Sequence, residues 1–327
     1  MEKIIITGGT GFIGKHLVNR LLSYGKYSIA LVSNTPNFDP RQFSQTRFQE
    51  KAPLRFYTAD IRNVDDLSKI FRDERADTCI HLAAKISVSD SIRNPDETLN
   101  INAKGTENVL EACYKSQVGN FVFTSSAAVY GDVKKLPISE NQSLEPLSPY
   151  GISKILAEQH VSSYIKLYKI KNAISFRIFN VYGQDQLGQL DVISRFAERL
   201  SKGLPPIIHG DGMQTRDFIS VDDVVDGIIL SIRTMEEAEN NKNTIPLPSV
   251  LNLGTGTPTS IKELAQKMIE IFGYDLQPIF EKEKEESGAI MHSYADMTKS
   301  KELLHFVARK DLEAGLTQMI NPIGVGK

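Results

Sequence analysis

The stretch KIIITGGTGFIG, which runs from Lys3 to Gly14, decides the fold of this chain. Residues Lys3–Thr7 are largely apolar and β-branched, and they predict a short buried strand. A strand, a glycine turn and a helix in this order are typical of a dinucleotide-binding site. A helix is predicted after this turn, because apolar residues recur with helical period. They are Phe12, Ile13, Leu17, Val18, Leu21 and Leu22. The helix is predicted to end near Tyr24-Gly25.

Three spaced glycines in this turn have separate physical roles. Gly8 permits the tight turn, Gly11 lets the backbone approach a pyrophosphate, and Gly14 lets the helix pack on the strand. The free N–H groups and the positive end of the helix then bind phosphate. A glycine-rich turn alone is equally typical of a loop, so its position between a strand and a helix carries the prediction.

Strands and helices alternate through the first half of the sequence. Long helices are predicted at Asp96–Ser116 and Pro149–Tyr168. The alternation predicts an α/β fold with a Rossmann-type doubly wound parallel sheet, covered by helices on both faces. The predicted strands are Lys3–Thr7, Ser28–Val32, Leu54–Thr58, Thr78–Ala83, Asn120–Ser125 and Ala173–Arg177.

After Asn180 the pattern breaks into shorter elements with several prolines and glycines, which predicts a second domain. Residues 1–180 are predicted to form a dinucleotide-binding domain, to which about 220–253 return through a helix at Val221–Ile232. Residues 181–327 are predicted to form a smaller mixed α/β domain that binds the substrate. The polar stretch Glu236–Asn243 predicts a surface loop.

Composition and charge exclude several classes of protein. The net charge of −2 gives no reason to expect binding to nucleic acid or to an anionic membrane. No apolar run approaches the roughly 20 residues that cross a bilayer, and the first residues do not read as a secretion signal, so we expect a cytoplasmic protein. Cys79 and Cys113 are expected to be small buried hydrophobes. The 6 histidines show no HxxxH or HxH spacing, so no metal site is expected.

Tyr150 and Lys154 are four residues apart in the segment YGISK. On a helix this spacing puts both side chains on one face, although an ordinary amphipathic helix shows it too. A phenol titrates at about pH 10, and lowering its pKa by about three units needs roughly 4 kcal/mol of interaction with a neighbouring ammonium. Such a tyrosine can take a proton from a sugar hydroxyl and later return it.

The glycine turn, Tyr150 and Lys154 together resemble the extended short-chain dehydrogenase/reductase superfamily, and within it the nucleotide-sugar epimerases of the UDP-glucose 4-epimerase type. The likeness covers nearly all of the chain. The resemblance also rests on the motifs Asp60-Ile61, His81–Ala84, Asn102–Thr106, Thr124–Gly131, Arg177–Gly183, Gly210–Ile219 and Asn252–Gly256. It implies a homodimer that pairs through helices near Asp96–Ser116 and Pro149–Tyr168.

The resemblance implies a catalytic group of Ser126, Tyr150 and Lys154. A serine hydroxyl just after the fifth strand can hydrogen-bond the reacting sugar oxygen and relay its proton to Tyr150, and Thr124 and Ser125 compete for this role. Lys154 is also expected to bind the nicotinamide ribose, and Asp60 to meet the adenine unless it is only a turn residue beside a helix. The cofactor site predicted in this way comprises Gly8, Gly11, Phe12, Ile13, Gly14, Ser33, Asn34, Asp60, Ile61, Leu82, Ala83, Ala84, Lys85, Asn102, Thr124, Tyr150 and Lys154.

The type of dinucleotide is less sharply defined by the residues. NAD-binding folds usually carry an acidic residue on the ribose 2′-hydroxyl about 20 residues beyond the glycine turn. Here the second strand ends at Ser33-Asn34, and a serine does not repel a 2′-phosphate as a carboxylate would. Arg41 or Arg47 could reach such a phosphate, so NADP is not excluded. The resemblance implies NAD.

The resemblance also implies a nucleotide-sugar substrate, a UDP-hexose, whose diphosphate meets Asn180 and Arg216. Arg216 could instead pair with Asp217 or Asp223, and Asn180 could cap a loop. These epimerases usually carry a second diphosphate-binding arginine near residues 286–289, and this chain has none there. The candidates for its replacement are Lys282, Lys284 and His292.

The function implied by the resemblance is inversion at C4 of a UDP-hexose through transient oxidation to a 4-keto sugar. Sugar-nucleotide 4,6-dehydratases carry an acidic pair where this chain has Ala127-Ala128, so dehydration is disfavoured. A nucleotide-sugar reductase or a UDP-uronic acid decarboxylase of the same superfamily is the alternative. A non-catalytic NAD(P)-sensing protein is a third interpretation.

Overall fold

The computed structural model describes residues 1–36, 38, 43, 53–168, 170–186, 191–240, 250–282 and 290–321. Two compact units share these residues. Unit 1 comprises 1–129, 146–177 and 225–251, and unit 2 comprises 130–145, 178–224 and 252–327.

The elements follow the order that the sequence suggests, with strands and helices alternating through unit 1. The strands are β1 (Glu2–Thr7), β2 (Tyr27–Ser33), β3 (Leu54–Thr58), β4 (Thr78–His81), β5 (Asn120–Ser126), β6 (Asn172–Ile178), β7 (Asn180–Tyr182), β8 (Ile207–His209), β9 (Thr215–Ser220), β10 (Val250–Leu253), β11 (Pro258–Ser260), β12 (Ile279–Glu281) and β13 (His292–Ser293). The helices are α1 (Phe12–Tyr24), α2 (Val64–Glu74), α3 (Val88–Arg93), α4 (Pro95–Leu99), α5 (Gly105–Lys115), α6 (Pro149–Tyr168), α7 (Val192–Ser201), α8 (Val221–Asn240), α9 (Ile261–Ile271), α10 (Thr298–Leu304) and α11 (Leu312–Ile320).

A seven-stranded sheet with the order β10-β6-β5-β4-β1-β2-β3 forms the centre of unit 1. The pairs β1–β2, β2–β3, β1–β4 and β4–β5 are parallel. The strand order reverses at β1, and in such sheets ligands bind beyond the carboxyl ends of the strands at this switch point. Thr7 at the end of β1 is in register with His81 at the end of β4. The doubly wound sheet predicted from the sequence is therefore confirmed.

The predicted helix at Asp96–Ser116 is continuous but not uniform. It consists of α4, a π-helical turn at Asn100–Lys104, and α5. The Thr106 hydroxyl donates to the Asn102 carbonyl of this turn at 2.5 Å. Such π-turns are frequent at functional sites.

The predicted loop at Glu236–Asn243 is wrong for its first part, because α8 continues to Asn240. Ile232 and Met235 are buried on the inner face of this helix, so the apolar stripe carries it past the predicted end at Ile232. Residues 241–243 lie outside the described part of the chain.

Unit 2 has a small mixed sheet in which β9 pairs with β7, β11 and β13. The sequence analysis placed 130–145 in the first domain, whereas the structure groups them with unit 2. The reason is a set of tertiary hydrogen bonds. Ile138 N–H donates to Tyr294 O at 2.9 Å, and Asn252 receives a 2.6 Å bond from the Tyr130 hydroxyl.

None of the helices in the described residues is long and apolar enough to cross a membrane.

His81 at the end of β4 is fully buried and lies between two hydroxyls. Its Nδ1 is 2.5 Å from Thr7 Oγ1, and its Nε2 is 2.9 Å from Thr106 Oγ1. Because the Thr106 hydroxyl already donates to Asn102 O, we assign Nε2 as the donor and Nδ1 as the acceptor of the Thr7 hydroxyl. Burial lowers the pKa of His81 to about 3, with the charge of Lys154 acting in the same direction.

We predict that His81→Gln flattens the pH dependence of stability. The pKa of His81 is about 3 in the folded protein against 6.5 for an ordinary histidine. The unfolded chain therefore takes up the proton first as pH falls below 6.5. Wild-type stability then falls by about 1.4 kcal/mol per pH unit from this residue alone. Urea unfolding at several pH values measures the slope.

His209→Gln is the control for this measurement, because the side chain of His209 is half exposed on β8. It should keep the wild-type slope. Parallel slopes for wild type and His81→Gln would contradict a neutral buried imidazole.

Candidate active site

The glycine turn after β1 lies directly against the backbone that follows β4. Gly8 has a φ of +72°, and a Cβ on it would be 2.5 Å from Ala83 N. A Cβ on Gly14 would be 2.6 Å from Gly8 O. Leu82 N–H donates to Thr7 O at 3.0 Å, which extends the contact between these two segments. Only glycine fits at positions 8 and 14 without moving backbone.

The amino terminus of α1 fits the phosphates of a dinucleotide. Gly11 is the N-cap residue with extended backbone, and among the described residues no side chain caps the helix or places an acid in its first turn. The first amides of α1, from Phe12, Ile13 and Gly14, are thus available to an anion at the positive end of the helix. The donors and the side-chain-free cradle are those that a pyrophosphate requires.

Three hydroxyls stand at the end of β2, where an acid is usual. Thr10 Oγ1 is 2.8 Å from Ser33 Oγ and 3.1 Å from Thr35 Oγ1, and Ser33 Oγ is 3.0 Å from Thr35 Oγ1. These hydroxyls are neutral and can both donate and accept hydrogen bonds. They therefore do not repel a 2′-phosphate as a carboxylate would. Arg41 and Arg47, which the sequence offered as candidates for contact with a 2′-phosphate, lie outside the described residues.

Asp60, at the end of β3, has partners in the protein. Arg62 binds its carboxylate through Nε at 2.9 Å and NH2 at 2.6 Å. The hydrogen bonds from Arg62 hold the pKa of Asp60 below its usual range, and the Asn34 side chain contributes to the same effect. Asn34 and Asp60 therefore come together, as the predicted adenosine end of the site requires. Ile61 packs on α5, where a Cβ on Gly105 would be 2.6 Å from Ile61 Cδ1.

Asn102 lies in the π-helical turn, and the protein uses its whole carboxamide. Oδ1 accepts from Lys85 N–H at 2.8 Å, and Nδ2 donates to Lys85 O at 2.9 Å and to Ser153 Oγ at 3.0 Å. The Ser153 hydroxyl in turn donates to Tyr150 O at 2.7 Å. Asn102 thus holds Lys85 and helix α6 in place, and its predicted role at the cofactor stays a prediction.

The first residues of helix α6 place Tyr150 beside Ser126. The Ser148 hydroxyl accepts from Gly151 N–H at 3.2 Å, and Pro149 is the first helical residue, a position that proline favours. A Cβ on Gly151 would be 2.6 Å from Ala128 O, so the helix start packs against the 3₁₀ turn after β5. Tyr150 is nearly fully buried there and is hydrogen-bonded to Ser126.

Lys154 lies one turn further along α6, with 3% of its surface exposed. Its Nζ donates to Thr124 O at 2.8 Å and stands over the rings of Phe123 and Tyr150, at 4.9 Å and 5.9 Å from their centroids. Burial lowers the pKa of Lys154 to about 7, against the opposing charge of Glu158. The predicted Ser126–Tyr150–Lys154 group is therefore brought together within unit 1.

The pKa of Tyr150 does not follow the sequence expectation. Burial raises it above the ordinary phenol value, and the hydrogen bond from Ser126 acts in the lowering direction. Lys154 faces the Tyr150 ring rather than being hydrogen-bonded to its hydroxyl. The protein groups alone therefore do not produce the lowered phenol pKa that the Tyr150–Lys154 spacing suggested.

Asn180 and Arg216 lie on paired strands of unit 2. Asn180 is exposed at the start of β7 and is in register with Phe218 of β9, two residues beyond Arg216. Arg216 NH1 donates to Thr215 O at 2.8 Å. Burial lowers the pKa of Arg216, while the charge of Asp132 acts in the raising direction.

The carboxylates considered as partners of Arg216 are used elsewhere. Asp217 accepts the Thr255, Gly256 and Ala295 N–H groups, and Asp223 accepts the Arg309 and Lys310 N–H groups. Among the described residues, no carboxylate forms an ion pair with Arg216. His292, a suggested replacement for the missing arginine, is on β13 opposite Thr215, with its Nδ1 3.0 Å from Thr215 Oγ1. Lys282 is exposed after β12, and Lys284 is outside the described residues.

Sequence reasoning missed the buried partners of the catalytic group. Glu158 accepts from Ser125 Oγ at 2.5 Å and from Arg177 through Nε at 3.0 Å and NH2 at 2.7 Å. Glu158 follows Lys154 by four residues, and this helical spacing was the available signal. Arg177 stood in a quoted motif without a role. Thr106 and Ser153 were also unassigned, since hydroxyls in apolar helices give no pattern.

A comparison of the sequence with protein families now identifies the chain. The model of the NAD dependent epimerase/dehydratase family matches residues 4–254. The chain belongs to this family. Membership confirms the family resemblance, the fold class and NAD as the cofactor that the sequence predicted. The glycine cradle at Gly8–Gly14 fits that cofactor.

Individual relatives cover nearly the whole chain. A putative UDP-glucose 4-epimerase of Methanocaldococcus jannaschii is 38% identical over 322 residues, which is 97% of each chain. The crystal structure of a Thermotoga maritima UDP-glucose 4-epimerase with UDP-glucose is 32% identical, with a TM-score of 0.84 over 98% of this chain and 97% of that one. A Thermus thermophilus UDP-glucose 4-epimerase complexed with NAD is 27% identical, with a TM-score of 0.83 over 98% of each chain.

The hydroxyl cluster at Ser33 generates a prediction on cofactor choice. Ser33→Asp should weaken NADP⁺ binding by more than about tenfold while NAD⁺ binding persists, because a carboxylate repels the 2′-phosphate but accepts ribose hydroxyls. Fluorescence or calorimetric titration measures both dissociation constants.

Ser33→Ala is the control for this substitution, since it removes the hydroxyl without adding charge. Its ratio of NADP⁺ to NAD⁺ affinity should stay near that of the wild type. An unchanged ratio in Ser33→Asp would place the ribose elsewhere.

Proposed function

We propose that this protein is a nucleotide-sugar epimerase that inverts C4 of a UDP-hexose. The observation that carries the proposal is the buried group of Ser126, Tyr150 and Lys154 at the carboxyl end of β5, in the same unit as the dinucleotide cradle. A hydroxyl pair beside an ammonium can move a proton to and from a sugar oxygen. The relatives named as UDP-glucose 4-epimerases support the same reaction.

The residues act through proton transfer and orientation. NAD⁺, when bound, accepts hydride from C4 of the sugar and gives it back. As the C4–H bond breaks, Tyr150 Oη takes the O4 proton, assisted by the Ser126 hydroxyl, and a 4-keto sugar forms. Tyr150 would then return this proton to O4 as the other face of the ketone is reduced, which would give the epimer. No net oxidation occurs.

Lys154 has to be protonated for this step. Burial raises the pKa of Tyr150 and lowers that of Lys154. A charge on Lys154 favours the phenolate, and the positive nicotinamide of bound NAD⁺ adds to that effect. The pKa of Tyr150 during reaction therefore depends on whether Lys154 keeps its proton.

Dehydration is not supported by the residues after Ser126. Ala127 and Ala128 occupy the 3₁₀ turn there, and neither can act as an acid toward a leaving hydroxyl. Reduction of a nucleotide sugar would consume NADPH, and decarboxylation of a UDP-uronic acid would release carbon dioxide. These two measurements identify the rival reactions.

We further propose that Asn180 and Arg216 bind the diphosphate of the substrate. The guanidinium of Arg216 lacks a carboxylate partner among the described residues, which suits an anionic ligand. His292 lies opposite the residue before Arg216, and we propose it as the replacement for the second arginine of these epimerases.

The direct test is to denature the purified protein, identify the released nucleotide, and assay the intact protein with UDP-glucose and UDP-galactose. Released NAD together with interconversion of the two sugars supports the proposal. An NADPH-dependent loss of substrate or release of carbon dioxide from UDP-glucuronic acid, without interconversion, would refute it.

Tyr150→Phe tests the proton transfer. The variant should keep its fold and its cofactor but lose roughly 10²–10⁴-fold in kcat, because the phenolic proton acceptor is gone. Tyr164→Phe is the matched control on the same helix, since the Tyr164 hydroxyl donates to Glu111 at 2.9 Å and is remote from the proposed chemistry. Equal turnover in Tyr150→Phe and wild type would remove the tyrosine from the mechanism.

We also propose that the protein is a homodimer that uses the outer face of α6. Ile152 and Leu156 are 44% and 37% exposed on this face, one turn apart, and Ile92 of α3 is also exposed. Such large apolar side chains on one helix face favour a partner surface. The family resemblance supports a second copy of this chain as that partner.

Leu156→Glu should therefore shift the protein toward the monomer, because a charge would be buried in the contact. Sedimentation velocity measures the molecular mass. Leu204→Glu is the control, since Leu204 is 45% exposed in unit 2. A monomeric wild type, or a Leu156→Glu variant that stays dimeric, would exclude this face.

A further inference from the structure

The ammonium of Lys154 is in an environment that disfavours its charge. Only 3% of the residue is exposed. Its Nζ donates a hydrogen bond to a neutral carbonyl, Thr124 O, at 2.8 Å. The faces of Phe123 and Tyr150 contribute some stabilisation of the cation. Desolvation nevertheless opposes the positive charge on which the proposed reaction depends.

Glu158 is held close to Lys154 by the same two elements that hold the lysine. It is one helical turn further along α6. On β5, Thr124 binds Lys154 and the next residue, Ser125, donates its hydroxyl to Glu158 Oε1 at 2.5 Å. Consecutive residues of one strand therefore fix consecutive turns of the catalytic helix.

Arg177 on β6 completes the arrangement. It binds Glu158 through two nitrogens, Nε to Oε1 at 3.0 Å and NH2 to Oε2 at 2.7 Å. This two-pronged geometry is that of a guanidinium with an ionised carboxylate. Both side chains are almost fully buried, at 6% and 7% exposure. A buried ion pair contributes little net stability on average. Stability alone therefore does not account for this pair beside Lys154.

We propose that Glu158, held by Arg177 and Ser125, is a positioning residue that keeps Lys154 cationic beside Tyr150 and so sets the alkaline limit of the reaction. This inference rests on the proposed function for its link to catalysis. Lys154, Glu158 and Arg177 all belong to unit 1. The charge of Glu158 raises the pKa of Lys154 against burial.

The other groups that face Lys154 do not supply a counter-charge. His81 on β4 is neutral over the working range because its pKa is about 3. Tyr150 on α6 is a phenol with a raised pKa. β5 offers the Thr124 carbonyl and the Phe123 ring, and β6 offers Arg177, whose charge has the same sign as Lys154. Among the described residues, Glu158 is thus the anion that acts on Lys154.

The experiment compares wild type with the double variant Glu158→Gln/Arg177→Gln. Both charges are removed together, because Glu158→Gln alone would leave a buried unpaired guanidinium and destabilise the protein. The pKa of Lys154 is read from its side-chain NMR signal in ¹³C-lysine-labelled protein, assigned by its loss in Lys154→Arg. The pH profile of kcat/KM is measured on the same samples.

We expect the pKa of Lys154 to fall by about one unit in the double variant, because the raising charge of Glu158 is lost together with the opposing charge of Arg177. The alkaline limb of kcat/KM should move to lower pH by the same amount, while activity on the acid side persists. A Lys154 pKa equal to that of the wild type overturns the proposal. So does a uniform loss of activity at every pH, since that is the result of a purely structural ion pair.

The chain offers a matched control in Glu74 and Arg55. This pair is also bidentate, with Arg55 Nε 2.7 Å from Glu74 Oε1, and Glu74 is buried in unit 1 outside the proposed site. Glu74→Gln/Arg55→Gln should leave the Lys154 titration and the pH profile at their wild-type positions. If the Gln pair at 158 and 177 does not fold, Glu158→Leu/Arg177→Met replaces it, because apolar substitutes for buried ion pairs are often tolerated. It predicts the same shift.

The two measurements separate this inference from the proposed function. If the double variant shifts the pKa of Lys154 but the wild-type protein does not interconvert UDP-sugars, the control of Lys154 by Glu158 is upheld and the epimerase is refuted. An active epimerase whose alkaline limb stays fixed when the Lys154 pKa moves would refute the control of the reaction by Glu158.

Discussion

The burial of the Lys154 amine is the constraint around which the Ser126–Tyr150–Lys154 part of unit 1 is organised. Lys154 contacts one carbonyl and two aromatic rings, and together these only partly offset the loss of hydration of an ammonium. The nearby carboxylate of Glu158 opposes this loss, and a guanidinium on the next strand fixes that carboxylate. The charge therefore depends on three neighbouring elements, α6, β5 and β6.

A second buried network connects the cofactor end of the sheet to the same helix. It runs from Thr7 through the neutral ring of His81 to Thr106, and from there to the carbonyl of Asn102. The carboxamide of Asn102 continues it to Ser153, which binds the carbonyl of Tyr150. Every member is neutral, so the network carries geometry rather than charge. Asn102 lies in the π-helical turn and contacts both Lys85 and Ser153.

The close approaches of backbone to backbone have the same purpose. Gly8 meets Ala83, and Gly151 meets Ala128, at distances that leave no room for a side chain. The first contact joins the ends of β1 and β4, where the cofactor is expected, and the second fixes Tyr150 beside Ser126. Glycine at these positions is a requirement of packing.

Local patterns in the sequence were sufficient for the sheet, for the glycine cradle and for the Tyr150–Lys154 spacing, because period, turn chemistry and helical spacing act over a few residues. The choice of Ser126 over Thr124 and Ser125 came from the family resemblance. They failed where partners are distant along the chain. The placement of 130–145 in unit 2 depends on bonds from Ile138 to Tyr294 and from Tyr130 to Asn252. The length of α8 depends on the burial of Met235. The ionisation of Tyr150 and Lys154 was decided only by tertiary structure, because burial, which no local pattern encodes, shifts both pKa values against the charged forms.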